Sequence, residues 1–153
     1  MEQQGNPNIL LVGVGGIGGM TIELLAPALE RIQRTCTITL MDGDIVEATN
    51  LGHQRFTKSD IGKAKTEVLA QRFTDFEYVT CHSFPENLRN AEQLEGFDFV
   101  LIGVDRPLPR RLVHASTVPW IDMRSTGDGH VFFTSESHTE LVTMMTPDHE
   151  PAS

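Results

Sequence analysis

Asn8-Ile9-Leu10-Leu11-Val12-Gly13-Val14-Gly15-Gly16-Ile17-Gly18-Gly19 joins a short apolar run to a glycine-rich turn. A nearly all-apolar run of this length reads as a parallel strand covered on both faces. After the turn, Ile17, Met20, Leu24, Leu25, Ala28 and Ile32 recur at helical spacing, so a helix follows with these residues on its buried face. Pro27 lies within that helix and is expected to kink it. The G-x-G-x-x-G pattern therefore falls between a strand and a helix, the context in which it binds phosphate. The first glycine allows the tight turn, the second admits phosphate to the backbone, and the third lets the helix pack on the sheet. The helix N-terminus adds free N–H groups and a positive dipole end. Five glycines in seven positions exceed the needs of a turn alone. Gly13, Gly15, Gly16 and Gly18 are thus nucleotide-binding candidates, and Asp42, 24 residues after Gly18, stands where an acid takes ribose hydroxyls.

Beyond the turn, strand and helix alternate. Strands are expected at 37–42, 78–84, 97–105 and 119–122, and helices from Asp60 as N-cap to about Phe73, over 86–94 and over 108–116. Residues 130–134 and 140–145 read as a closing hairpin. The fold class is α/β: a Rossmann-like, mainly parallel sheet with helices on both faces and a C-terminal antiparallel hairpin. One domain over 1–153 is expected, with 147–153 a flexible, proline-bearing tail.

The chain has 153 residues and a formal net charge of −9, which argues against broad electrostatic binding to nucleic acid or an anionic membrane. There is no signal-peptide pattern at the N-terminus and no apolar run of membrane-spanning length. Cys36 and Cys81 fall in or beside expected strands and read as buried thiols, which points to a cytoplasmic protein. Trp120 and the phenylalanines read as core. Against this acidic background all three lysines, Lys58, Lys63 and Lys65, sit within eight positions.

That cluster ends a distinctive segment: Asp42-Gly-Asp44-Ile-Val-Glu47-Ala-Thr-Asn50-Leu-Gly-His53-Gln54-Arg55-Phe56, then Asp60-Ile-Gly62-Lys63-Ala-Lys65. Here the chain resembles the ThiF/MoeB and ubiquitin-activating family of adenylating enzymes. Their pattern is roughly D-x-D-x-V-x-x-x-N-L-x-R-Q followed by D-x-G-x-x-K. The family also places an aspartate at the end of the fourth strand and an arginine five positions on, which Asp105 and Arg110 match. The resemblance implies MgATP-dependent adenylation of the C-terminal carboxylate of a ubiquitin-like or sulfur-carrier protein ending in glycine. It implies that Asp42 holds the ribose and that Asn50 and Lys65 contact phosphates, with Asp44, His53, Gln54 and Arg110 as further nucleotide contacts. Asp105 would hold Mg²⁺, and Lys65, Arg55 and Asp105 would form the catalytic set. A homodimer, or a heteromer with another subunit, is implied as well.

Two positions depart from the pattern. His53 replaces an arginine that steadies the triphosphate, and Arg106 replaces an asparagine. Histidine supplies no permanent forked cation, and Arg55, two residues on, is the substitute within reach. Neither a Cys-x-x-Cys pair nor a thioester cysteine follows, so a full activation-and-transfer cycle would need another component. Three readings result: an ATP-dependent adenylyltransferase, a non-catalytic nucleotide-binding subunit or scaffold of the same family, and an NAD(P)-linked oxidoreductase. The third rests on the glycine turn and Asp42 alone. Asp122, Arg124, Asp128 and His130 crowd the end of the fifth strand, as substrate-facing groups or as a hydrogen-bonded loop.

Overall fold

The structure, a computed structural model, describes residues 5–52, 54–126 and 129–137. In order along the chain these form β1 (Asn8–Val12), α1 (Gly16–Arg31), β2 (Cys36–Met41), α2 (Lys65–Gln71), β3 (Val79–Phe84), β4 (Phe99–Ile102), α3 (Pro107–His114), β5 (Trp120–Thr126) and β6 (Gly129–Thr134). Short 3₁₀ turns lie at Ala48–Asn50, Lys58–Asp60 and Ala91–Leu94. The strands make one sheet in the order β3-β2-β1-β4-β5-β6. All neighbours are parallel except β5 and β6, which pair antiparallel from Ile121↔Thr134 to Thr126↔Gly129.

Alternation along the strands builds two cores. Leu11, Ile38, Leu40 and Leu101 join Ile22 and Ala26 of α1 and Val68 and Leu69 of α2 on one face. Leu10, Val12, Val100 and Ile102 join Leu94 and Val113 on the other. The expected α/β architecture with helices on both faces is therefore present. The hairpin is made by β5 and β6, β5 running on to Thr126; residues 140–145 and 147–153 lie outside the described residues.

Four local expectations are corrected. On α1 the buried residues are Gly18, Gly19, Ile22 and Ala26, whereas Leu24 and Ile32 are 64% and 71% exposed and Met20 is also exposed. Gly18 and Gly19 bring α1 close to the sheet, Ile22 is fully buried, and Ile17 and Leu25 are partly buried against the same core; the helix runs through Pro27 as one element. The helix expected from Asp60 begins at Lys65, with Ala64 as N-cap. Gly62 at φ +88° turns the chain so that Ala64 bridges Ile45, and Val46 N–H donates to Lys63 O at 2.8 Å. Asp60 instead closes its 3₁₀ turn, its Oδ2 accepting from Thr57 N–H at 2.8 Å. Over 86–94 only the turn Ala91–Leu94 forms, because Asn87 Oδ1 is drawn off to Gly43 N–H and Gln93 Oε1 accepts from Arg89 N–H. Trp120 is buried as expected, but Phe84 and Phe132 are exposed.

Candidate functional site

The order of strands reverses between β1 and β4, and open α/β sheets bind ligands at the carboxyl ends of strands at such a switch point. Here the β1–α1 turn meets the residues that follow β4. Gly13 has φ +89°, and a Cβ on it would press on Val104 and on the backbone of Gly103. A Cβ on Gly18 would overlap the carbonyl oxygen of Gly13. Packing alone therefore requires these two glycines. Gly15 and Gly16 differ: a Cβ on Gly15 would meet only Gln54 at 3.6 Å, an ordinary contact, and one on Gly16 would meet nothing within 4 Å. The space left by these two belongs to a cleft of about 380 Å³. Gln54, Arg55 and Phe56 line it, as do Ser125 and His130 from the β5–β6 hairpin.

Asp42 follows β2 and is the hinge of the turn. Its Oδ2 accepts from Val14 N–H at 2.9 Å and its Oδ1 from Asp44 N–H at 2.8 Å. Burial raises its carboxyl above the ordinary range, and those two N–H groups only partly offset the effect. Each oxygen keeps a further lone pair for a hydroxyl donor.

The Ile45–Ala64 bridge brings the far end of the distinctive segment back to its beginning. Lys65 N–H donates to Asp44 O at 3.1 Å, and Lys65 Nζ lies 3.8 Å from Asp44 Oδ2. Lys65 is 5% exposed although Asp44 is open to solvent, while Lys63 is exposed. Of the lysines in the cluster, Lys65 is thus the one built into the fold. Asn50 Oδ1 accepts from Glu47 N–H at 2.8 Å and holds its own 3₁₀ turn. Gln54 Oε1 is buried and has no hydrogen-bond partner among the described residues. His53 lies outside the described residues.

Asp105 is exposed just beyond β4, at the same sheet edge. Arg110, five positions on, turns instead to β5. Its Nε lies 3.3 Å from Asp122 Oδ1, an ion pair without hydrogen-bond alignment. Asp122 is fully buried and also accepts from His114 Nε2 at 2.8 Å and from Arg124 at 2.9 and 3.2 Å. Burial alone would raise its carboxyl, but these hydrogen bonds and the charges of Arg110 and Arg124 hold it below the ordinary range. Asp122 and Arg124 are thus a buried internal network. His130 reaches the cleft, and Asp128 lies outside the described residues.

Cys36 is buried, and burial pushes the half-buried Cys81 thiol up to about 12, so neither forms a thiolate readily. Among the described residues no His, Cys, Asp and Glu group of three or more is placed to hold a metal, and no helix is long and apolar enough to cross a membrane. Glu23 and Arg72, which secure the 54–56 wall, carried no signal beyond ordinary helix polarity.

Comparison with known proteins fits this geometry. The ThiF family model matches residues 1–152, and the chain belongs to the ThiF family. It is 32% identical to the NEDD8-activating enzyme E1 catalytic subunit of Caenorhabditis elegans over 114 residues, 71% of this chain and 25% of that protein. It is 30% identical to the adenylyltransferase and sulfurtransferase UBA4 of Saccharomyces cerevisiae over 113 residues, 71% of this chain and 24% of that protein. The chain thus spans about a quarter of the length of these two relatives. Among solved structures, E. coli MccB matches with a TM-score of 0.69 at 26% identity, covering 84% of this chain and 40% of MccB. MccB bound to ATP matches with a TM-score of 0.62 at 25% identity, covering 77% of this chain and 36% of that one.

Proposed function

We propose that the chain is an ATP-dependent adenylyltransferase whose substrate is the C-terminal carboxylate of a ubiquitin-like or sulfur-carrier protein. The observation that carries this reading is the open pair Gly15 and Gly16. Packing leaves them free, and they face a cleft beside Gln54 and Arg55 at the N-terminus of α1. The relatives' names, and ATP in the MccB complex, support the same reaction class.

The carrier carboxylate oxygen attacks the α-phosphorus of ATP, the bond to the bridging oxygen of the β-phosphate breaks, and pyrophosphate leaves. An acyl-adenylate remains. Such a transfer relies on positioning and charge neutralisation more than on covalent help from the protein. The α1 N-terminus and the N–H groups of the turn bind phosphate. Asp42 orients the ribose through its remaining lone pairs, and Lys65 supplies a fixed cation whose motion burial restricts. Mg²⁺ takes few protein carboxylates beside substrate phosphates, and exposed Asp105 fits that donor chemistry. When bound there, the ion would neutralise charge on the triphosphate.

The test is ATP–pyrophosphate exchange with Mg²⁺ and a cognate carrier. Lys65→Ala and Asp105→Ala are expected to lower exchange by at least about a hundredfold, the scale seen when one electrostatic contact to a transition state is removed. Full exchange in both variants would refute the assignment. One observation favours a second reading, a nucleotide-binding subunit without catalysis: Arg110 is committed to Asp122 and not to the turn. Calorimetry showing ATP binding without exchange for any carrier would select it.

A further inference from the structure

Arg55 lines the cleft beside Gly15 and Gly16, and its side chain is 57% exposed. A long cation so placed would sample many rotamers unless something held it. Two contacts do. Its guanidinium pairs with Glu23 Oε2 at 2.8 Å, and its carbonyl oxygen accepts from Arg72 at 2.6 Å. Glu23 stands on α1, one turn beyond Gly19, and is itself largely buried, with its side chain 16% exposed. Its other oxygen pairs with Arg72, which also lies 3.9 Å from Asp60 and over the Phe56 ring. Arg72 thus has a second carboxylate, whereas Glu23 is the acid paired with Arg55 among the described residues.

We infer that Glu23 is a positioning residue that holds Arg55 at the phosphate end of the cleft, so that Arg55 supplies the forked cation that position 53 lacks. This rests on the reading of the cleft as an ATP site. Three physical points carry it. Arg55 is more than half exposed, and an ion pair with one partner so exposed adds only about 0.2–1 kcal/mol, so fold stability gives little reason to hold this particular side chain. A guanidinium has five N–H donors, and the bond to Glu23 leaves several for phosphate oxygens. Ordering Arg55 before the ligand arrives removes a rotamer cost from binding.

The experiment is calorimetric titration of the full chain with MgATP and, separately, with AMP, which lacks the β- and γ-phosphates. Glu23→Ala and Arg55→Ala are each expected to weaken MgATP binding about tenfold, the loss of one charge-assisted hydrogen bond, and to leave AMP binding unchanged. Adding Glu23→Ala to Arg55→Ala is expected to cost nothing further, because Glu23 acts through Arg55. Glu23→Gln, which keeps the side-chain shape, serves if the alanine variant does not fold. Unchanged MgATP binding in the Glu23 variants overturns the inference, as does an equal loss for AMP or an additive loss in the double variant. A wild-type chain that binds neither ligand overturns the ATP reading itself.

Discussion

Gly16 and Gly18 stand two positions apart in one turn, yet they answer to different constraints. Gly18 sits against the carbonyl of Gly13, so Gly18→Ala forces the turn apart and is expected to lower stability by at least about 1–3 kcal/mol, the usual cost of overpacking. A Cβ on Gly16 meets open space at the first residue of α1, so Gly16→Ala is expected to leave stability unchanged or raise it by up to about 1 kcal/mol. It should nevertheless weaken MgATP binding, because the methyl group enters the cleft. Thermal unfolding and calorimetry on the two variants separate these effects. The glycine pattern was legible in the sequence, but the division of labour within it was not, since it depends on Gly13, Val104 and Gln54 as neighbours. Lys65 was chosen by register from the sequence, and it is the buried lysine of the cluster. Arg110 was placed toward nucleotide, and in the structure this residue of α3 pairs with Asp122, twelve residues on in β5.

The helices and turns show where local signals stop. Asp60 looks like an N-cap, but the cap of its short 3₁₀ turn is Thr57; Asp60 is the last residue of that turn, and its carboxylate accepts from Thr57 N–H. The pairing of 44–46 with 62–65 takes the segment that would have extended α2, and a long-range bridge outweighs a helix propensity of a few tenths of a kcal/mol per residue. The apolar spacing on α1 was real, but two overlapping faces carry it, and only contact with the sheet shows which is buried. Between α3 and β5, Asp122 holds Arg110, His114 and Arg124 together. Asp122→Asn would remove the buried carboxylate that Arg110, His114 and Arg124 share and is expected to cost about 3–5 kcal/mol by denaturant unfolding. Its carboxyl is held below the ordinary value in the folded state. The stabilisation is therefore complete above the unfolded value of about 4 and is lost as pH falls through the lower folded value. Acid titration of wild type and Asp122→Asn should converge below that range.

Across the whole molecule, one sheet gathers residues from 13 to 130 at a single edge. The two thiols report on its integrity. Cys36 and Cys81 lie on adjacent strands, and their native reactivity toward a thiol reagent is expected to be slow, with Cys36 exposed only by unfolding of the sheet. Labelling rates that follow the global unfolding midpoint would verify this; fast labelling of Cys36 in native conditions would contradict it. The strand-turn-helix unit, the alternation of elements and the family motif are properties of short segments. Periodicity, glycine spacing and turn chemistry act over a few residues, and so the chain announced them directly. Which apolar face of α1 is covered, where α2 begins, why Arg110 turns to Asp122 and how Glu23 reaches Arg55 are settled only by distant partners. Burial and ion pairing depend on what packs beside a residue, and that neighbour is set by the sheet order, not by proximity along the chain.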